Sequence, residues 1–297
     1  MTIGIIPNTT KDDILDVVKL VTEKLGQNSF PFFISDSILK IDSNLGSHFD
    51  ESVICSHDII FKESDLIISI GGDGTMLSTA YEARNYNTPL LGLNFGKLGF
   101  LAEFELQGID QLFSDLRAGN YEIEERMSLN AYVNDDKNNI LFAINDFVID
   151  KGGWPKMIEL VVNVDNDYVT TFMADGIIVA TPTGSTGYSL STGGPIITPT
   201  TKAIALSPLA PHTLNIRPLV ISSEQKLEIL INSQHSSIQV NCDGQRVHYY
   251  EPPLKVCIYK SEHPIKLVHA KSTGYFEILR RKLYWGLDVR SQNENNN

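Results

Sequence analysis

The chain has 297 residues, 42% hydrophobic and 20% charged, which gives room for one large domain or two ordinary ones and excludes a disordered polymer. A formal net charge of −12 argues against nucleic acid or a membrane surface as a partner, since either would call for a basic excess, but leaves room for small anions held by glycine loops. Cys55, Cys242 and Cys257 are odd in number and lack metal-ligand spacing, so they read as buried free thiols in a reducing cytoplasm. The start, MTIGIIPN, has no basic signal-peptide region, and no stretch approaches the roughly 20 apolar residues of a membrane span.

In chain order, Thr2–Ile6 reads as a buried strand ended by Pro7-Asn8. Lys11-Asp12-Asp13 opens a helix whose apolar face is Ile14, Val17, Val18, Val21 and Leu25. Phe30–Ile34 is a second strand, and the Ser/Asp-rich Asp36–Ser56 reads as a loop holding at most a short element. Leu66–Ile70 is a nearly unbroken apolar run, suited to a strand covered on both faces. It leads into Gly71-Gly72-Asp73-Gly74-Thr75 and a helix to Tyr86, followed by a strand at Leu90–Asn94. Such alternation is the signature of a parallel sheet with helices on both faces, where ligands sit beyond the carboxyl ends of the strands. Gly71–Thr75 and Asn94-Phe95-Gly96-Lys97 both fall at such ends.

A helix at Ile109–Leu116 bridges to a region of short strands: Ser128–Val133, Ile140–Asp150, Met157–Val164, Gly176–Thr181, Lys226–Ile231, Ser237–Asn241 and Leu254–Tyr259. That spacing predicts a sandwich-like β domain. Tyr275–Trp285 is helical again and is expected to pack back on the first domain; the polar tail Ser291–Asn297 is expected to be disordered. The expected organisation is an α/β domain with a Rossmann-like parallel sheet at 1–104, completed by 269–297, and a β-rich domain at 105–268.

Strand, glycine turn, helix aims backbone N–H groups at a phosphate, with Gly71, Gly72, Gly74 and Thr75 as the loop. Asp73 is the odd member, because a carboxylate repels phosphate. It can take a proton from an attacking hydroxyl or hold a metal, and a tight turn with a solvated Asp fits the same residues equally well. Thr181–Pro195, TPTGSTGYSLSTGGP, is crowded with glycines and hydroxyls around an ordered-looking Tyr-Ser-Leu. It reads as a loop and helical turn around a neutral, hydrogen-bonding ligand such as a nucleoside, with a surface linker as the alternative. Asn145-Asp146 places two polar groups inside an apolar run, suited to a ligand's paired hydroxyls or to a bulge. Asp175-Gly176 and Asp243-Gly244 read as type I′ hairpin turns, and Trp154 and Trp285 as packing residues.

Gly71–Thr75, Asn145-Asp146, Thr181–Pro195, Pro211-His212-Thr213-Leu214 with Arg217-Pro218, and Leu279–Gly286 occur in an order that resembles the NAD kinase family over nearly the whole chain. The Gly-Gly-Asp-Gly loop alone is shared with diacylglycerol-type lipid kinases and phosphofructokinases; the Thr-Pro-Thr-Gly-Ser-Thr-x-Tyr-Ser stretch is more specific. The resemblance implies a homodimeric or homotetrameric enzyme that moves the γ-phosphate of ATP to the 2′-hydroxyl of the adenosine ribose of NAD, with Mg²⁺ carried in by ATP and no dedicated metal site. It implies Asp73 as proton acceptor, with Asp73 and Gly74 lining the NAD site, Asn145 and Asp146 on ribose hydroxyls, and Asp175 near a base. Thr186, Gly187, Tyr188, Ser189, Leu190 and Ser191 would wrap the dinucleotide, with Gln245 near it and Lys156 as a variable polar contact. Three departures stand out: Asp146 where the family usually has Glu, Gly187 where Ala is common, and Ser78 where relatives often carry a basic residue.

Overall fold

Apolar runs that alternate with amphipathic segments in the first third of the chain assemble as a parallel sheet. The computed structural model describes residues 1–41, 49–96, 99–271 and 274–286, and the chain divides into two units, Met1–Glu124 with Lys266–Asn297, and Glu125–Ile265. The expectations for Lys97, for part of Asp36–Ser56 and for the tail Ser291–Asn297 lie outside the described residues.

In the first unit, β1 (Ile3–Pro7), α1 (Ile14–Gln27), β2 (Phe32–Ser35), β3 (Ile54–Cys55), α2 (His57–Glu63), β4 (Leu66–Ile70), α3 (Asp73–Ala83) and β5 (Leu90–Asn94) follow one another. The strands pair in parallel in the order β3-β2-β1-β4-β5. After β2 and β3 extend the sheet on one side of β1, β4 continues it on the other, so the strand order reverses between β1 and β4. That reversal opens a crevice at the carboxyl ends of these two strands, and the glycine loop leaves β4 there. β1, β4 and β5 are buried along their whole length, as their unbroken apolar runs require. α1 buries Ile14, Val17, Val18, Val21 and Leu25, the stripe its spacing predicts, and adds Thr22. Within Asp36–Ser56 the described residues form two short 3₁₀ turns, Asp36–Lys40 and Glu51–Val53, besides β3. The sequence reading does not anticipate α2, whose seven residues bury only Ile60 and Phe61. After β5 come β6 (Phe104–Glu105), α4 (Ile109–Ala118), which buries Ile109, Leu112, Phe113 and Leu116, and β7 (Tyr121–Arg126).

The second unit holds two six-stranded antiparallel sheets. Its elements are β8 (Leu129–Val133), β9 (Leu141–Ala143), β10 (Asp146–Asp150), β11 (Ile158–Val164), β12 (Asp167–Ala174), β13 (Gly176–Ala180), the single turn α5 (Tyr188–Ser191), β14 (Ala203–Leu209), β15 (Leu219–Ser222), β16 (Leu227–Asn232), β17 (Ile238–Cys242), β18 (Arg246–Tyr250) and β19 (Leu254–Lys260). One sheet runs β15-β14-β13-β10-β17-β18, the other β12-β11-β16-β19-β8-β9. Phe147, Ile149, Ile177 and Val179 of the first meet Leu160, Ile229 and Val256 of the second in a shared core. On the other face of the first sheet, Val148, Ile178, Ala180 and Ala205 pack with Ile197. β10 and β13 of that sheet are therefore buried at successive positions, whereas β11 and β16 alternate buried and half-buried residues.

Two expectations change here. The single strand expected at Ile140–Asp150 is two, β9 in one sheet and β10 in the other, because the chain crosses between sheets at Ile144-Asn145. Asp175-Gly176 is not a hairpin turn, since β12 and β13 belong to different sheets and Asp175 keeps a negative φ. β14 is not among the strands expected, and it carries Pro208, which lacks a ladder N–H. β15 covers only Ala203–Leu206, so at Pro208 that flank of β14 has no partner and the missing N–H costs no ladder bond.

The chain then returns to the first unit through β20 (Ile265–Ala270), which pairs in parallel with β5 and lies beside β7, and ends in α6 (Tyr275–Leu283). α6 buries Ile278 and Leu279 and pairs Arg281 with Glu105 at 3.5 Å, so it packs on the α/β unit as expected. Among the described residues no helix is long and apolar enough to cross a membrane.

Candidate active site

In the first unit the site is built at the end of β4. Gly71 donates its N–H to Leu93 O (2.9 Å), Asn8 Nδ2 donates to Thr75 Oγ1 (2.9 Å), and Ser69 and Thr79 share a hydroxyl bond of 2.9 Å. These bonds tie the glycine turn to β1, β5 and the first turns of α3. Asp73, the first residue of α3, has its carboxylate in a cradle of backbone amides. Oδ1 accepts from Leu101 N (2.9 Å) and Ala102 N (3.0 Å), and Oδ2 accepts from Phe100 N (2.9 Å). Lys282 of α6 brings its ammonium to 3.7 Å from Oδ2 and to 5.1 Å from the centre of the Phe100 ring. A carboxylate has about four acceptor positions. Three N–H groups fix this one in orientation, Oδ2 keeps one position beside the ammonium, and the side chain stays 32% exposed.

The Asp73 cradle requires a glycine at residue 99. A β-carbon there would land on Asp73 Oδ1, a backbone-held atom with little freedom to move. Gly99→Ala is therefore expected to displace the carboxylate or the 99–102 turn and to cut turnover at least tenfold by misplacing the carboxylate, measured as kcat on protein with an unchanged circular dichroism spectrum.

The second unit gathers another group where β9 hands over to β10. The Ile144–Asp146 turn is held by Asp243, which lies between β17 and β18. Thr181 Oγ1 donates to Ile144 O (2.6 Å) and accepts from Gly184 N (3.0 Å), and Thr181 N donates to Asn145 O (2.8 Å). Gly184 lies against the Asn145 backbone so closely that any side chain would collide with it. The Thr183–Thr186 turn is thus laid directly on the Asn145 turn. Two buried oxygens there have no hydrogen-bond partner, Asn145 Oδ1 and Thr183 Oγ1. A buried polar atom without a partner costs roughly 1–3 kcal/mol, so a pair of them is a place for a ligand to complete. Asp146 is buried, and burial first, then the nearby Asp243 charge, pushes its carboxyl up to about 7. Its Oδ2 lies 3.9 Å from where a β-carbon on Gly187 would stand.

Much of the hydroxyl content of Thr181–Pro195 is spent inside the protein. Ser185 Oγ donates to Pro182 O (2.6 Å) and accepts from Ile197 N (3.0 Å), and Ser189 Oγ pairs with Ser207 Oγ (2.8 Å) with no exposure. Tyr188 is 47% exposed, Gly187 and Ser191 are exposed, and Thr186 and Leu190 are half-buried. Asp175 pairs with Lys151 at 2.8 Å, and Gln245 donates its N–H to Cys242 O (3.1 Å) in the turn that carries Asp243. Asp243 and Gly244 have φ of 56° and 69°, so that turn is left-handed as expected. Lys156 reaches Gln234 Oε1 at 3.4 Å, and its carbonyl contacts His235, so its partners lie on the Ser233–His235 turn. The tryptophans do not pack inside: Trp154 is 42% exposed and stacks on His235, and Trp285 is 54% exposed. Sequence reasoning missed Lys282, Thr183, Arg246 and the carboxylate of Asp243. The run Arg280-Arg281-Lys282 was the available signal for Lys282, and the Asp-Gly turn concealed Asp243.

Among the described residues no group of His, Cys, Asp and Glu is arranged to hold a metal ion. Two family models match the chain, the ATP-NAD kinase N-terminal domain over residues 3–121 and the ATP-NAD kinase C-terminal domain over residues 144–270. The NAD kinase of Thermoanaerobacter sp. (strain X514) is 37% identical over 283 residues, covering 95% of this chain and 98% of that protein. The NAD kinase of Geotalea daltonii is 38% identical over 248 residues, 83% of this chain and 87% of that one. Of solved structures, an NAD kinase from Archaeoglobus fulgidus in complex with ATP superposes with a TM-score of 0.74 at 26% identity, covering 96% of this chain and 99% of that one. Yeast NADH kinase complexed with NADH superposes with a TM-score of 0.86 at 23% identity, covering 98% and 89%, a likeness of fold. With both domain models matched and relatives of this identity along nearly its whole length, the chain belongs to the NAD kinase family.

Proposed function

We propose that this chain transfers the γ-phosphate of ATP to the 2′-hydroxyl of the adenosine ribose of NAD, giving NADP and ADP. An alcohol is a poor nucleophile at neutral pH. In this reading Asp73 Oδ2 takes the hydroxyl proton as the new O–P bond forms and the bond from the γ-phosphorus to the bridging oxygen breaks. The observation that carries the reading is the state of Asp73: a carboxylate at the strand-order reversal, oriented by three amides, with an acceptor position left beside an ammonium. The Gly71–Thr75 turn and the N-terminus of α3 would face the transferring phosphate, and Lys282 would balance charge in a chain of net −12.

Asn145 Oδ1 and Thr183 Oγ1 would find their missing partners on the nucleoside, and Asp146 would accept from ribose hydroxyls. The exposed Tyr188 ring offers a stacking surface, while Thr186–Ser191 contributes backbone and shape more than hydroxyls, since Ser189 is turned inward. Lys156 and Asp175 would give up the partners they hold here to meet the ligand, and Gln245 would approach it from the turn that carries Asp243. A divalent cation, Mg²⁺ in this reading, would be held chiefly by the ATP phosphates and would neutralise charge on the transferring group when bound. Placement in the cytoplasm and assembly as a homodimer or homotetramer belong to the same proposal.

ATP-dependent appearance of NADP, read with an NADP-specific dehydrogenase and run with NAD against NADH and ATP against polyphosphate, tests the reaction and its donors. No NADP from folded protein with any pair removes the proposal. Asp146→Ala is expected to raise the Michaelis constant for NAD about tenfold or more with a smaller change in kcat; a loss confined to kcat counts against a ribose-holding role.

A further inference from the structure

Asp243 is more than the turn residue its sequence context suggests. A left-handed turn accepts Asn or Gly as readily as Asp. Here the side chain is fully buried, and its two oxygens collect four groups. Oδ1 accepts from Ile144 N (2.9 Å), Asn145 N (2.6 Å) and, at 3.3 Å, Asp146 N; Oδ2 accepts from Arg246 Nη2 (2.8 Å) and, at 3.2 Å, again from Ile144 N. The backbone answers in the opposite direction, with Asp243 N–H donating to Asp146 O (3.0 Å). Arg246 also donates to Phe142 O (3.2 Å), so the same pair fastens the end of β9 and the start of β10. A second carboxylate, Asp146, is buried next to this anchored one.

We propose that Asp243 and Arg246 are a positioning pair that fixes the Asn145-Asp146 turn and sets the charge state of Asp146, and so the pH range in which the chain takes up NAD. The proposal rests on reading Asn145 and Asp146 as the ribose-holding residues. Two buried carboxylates and one guanidinium cannot all be charged without cost. Burial pushes the Asp243 carboxyl up, and the amides and Arg246 oppose that push. With three backbone N–H groups and a guanidinium aimed at Asp243, the negative charge is better held there than on Asp146. Asp146 has no such support, and the proton falls to it. The other groups facing Asp146 do not compete for that proton. Cys242 is a neutral thiol pushed up to about 12 by burial, β13 presents Ala180, and the turn from Thr183 to Gly187 presents only neutral groups. A ribose hydroxyl donates more strongly to a carboxylate than to the carbonyl oxygen of a carboxylic acid, so NAD uptake favours ionised Asp146.

The test is the Michaelis constant for NAD from initial rates between pH 5.5 and 8.5, with parallel calorimetric binding of NAD to the whole protein. For the unaltered chain the constant is expected to fall roughly tenfold as pH rises, with its midpoint near neutrality. Asp243→Asn removes the neighbouring charge and is expected to move the midpoint down by roughly one pH unit; Arg246→Met leaves Asp243 unbalanced and is expected to move it up by a similar amount. A merely structural role predicts weaker binding with the midpoint unmoved, and that result overturns the proposal. Should Asp243→Asn not fold, the upward shift in Arg246→Met decides alone. If Asp146→Asn leaves both the constant and its pH dependence untouched, the ribose-holding reading fails instead, which separates the two.

Discussion

Asp73→Asn is expected to leave a folded protein that still binds NAD and turns over between a hundred and ten thousand times more slowly, the usual range for loss of a positioned base (~10²–10⁴). The cradle around Asp73 makes this a sharper test than the substitution would be elsewhere. In the Asn variant the amide oxygen can keep the bonds from Leu101 and Ala102, but the amide nitrogen must then face the Phe100 N–H and the Lys282 ammonium, donor against donor. That mismatch costs on the order of 1–3 kcal/mol of stability, survivable for a domain of ordinary stability. Two roles therefore predict different signatures. If Asp73 only secures the 99–102 turn, melting temperature falls and kcat per folded molecule stays near the original. If it takes the ribose proton, kcat collapses at temperatures well below the melting transition, while calorimetric NAD binding persists. Near-normal turnover from the folded variant removes the general-base role.

How much of this was legible in the sequence follows from how local each signal is. The β4–turn–α3 unit could be read because an apolar run, a glycine cluster and a helical repeat are contiguous, and the paired geometry of β1, β4 and β5 follows from strands buried on both faces. The handover at Ile144-Asn145 was not legible. Leu141–Ile149 is continuously apolar on both sides of the crossing, and only the partners, β8 for β9 and β13 with β17 for β10, reveal that one run serves two sheets. The Asp243 carboxylate was hidden for a different reason: its turn chemistry fully accounts for an Asp-Gly pair, so nothing local asks for a further role. Lys282 lies 209 positions from Asp73, in the last turn of a helix that carries Arg280 and Arg281 beside it, and its partner is a matter of tertiary packing. In Thr181–Pro195 the composition announced hydrogen bonding correctly, but could not say that Ser185 and Ser189 direct theirs inward while Thr183 is left with none.

Asp146→Asn is expected to stabilise the protein above neutral pH while weakening its grip on NAD. The folded state holds this carboxyl up to about 7, against an ordinary value near 3.8, because burial disfavours the charge and Asp243 adds to that. Between those two values the folded protein binds more protons than the unfolded chain. Stability contributed by the group is therefore fully present below the ordinary value and is lost as pH climbs toward 7, where the folded protein must at last ionise a buried acid. Each pH unit of displacement corresponds to about 1.4 kcal/mol, so on the order of 2–4 kcal/mol is surrendered by pH 8. Asn carries no charge at any pH and surrenders none of it. Urea melts of the two proteins should lie closest near pH 4 and separate progressively up to about pH 7, with the variant the more stable and the gap then held to pH 8; a constant separation between pH 4 and pH 7 would mean that the buried carboxyl does not change its charge there. Under the proposed ribose-holding role, the original residue trades fold stability for what its ionised form can accept.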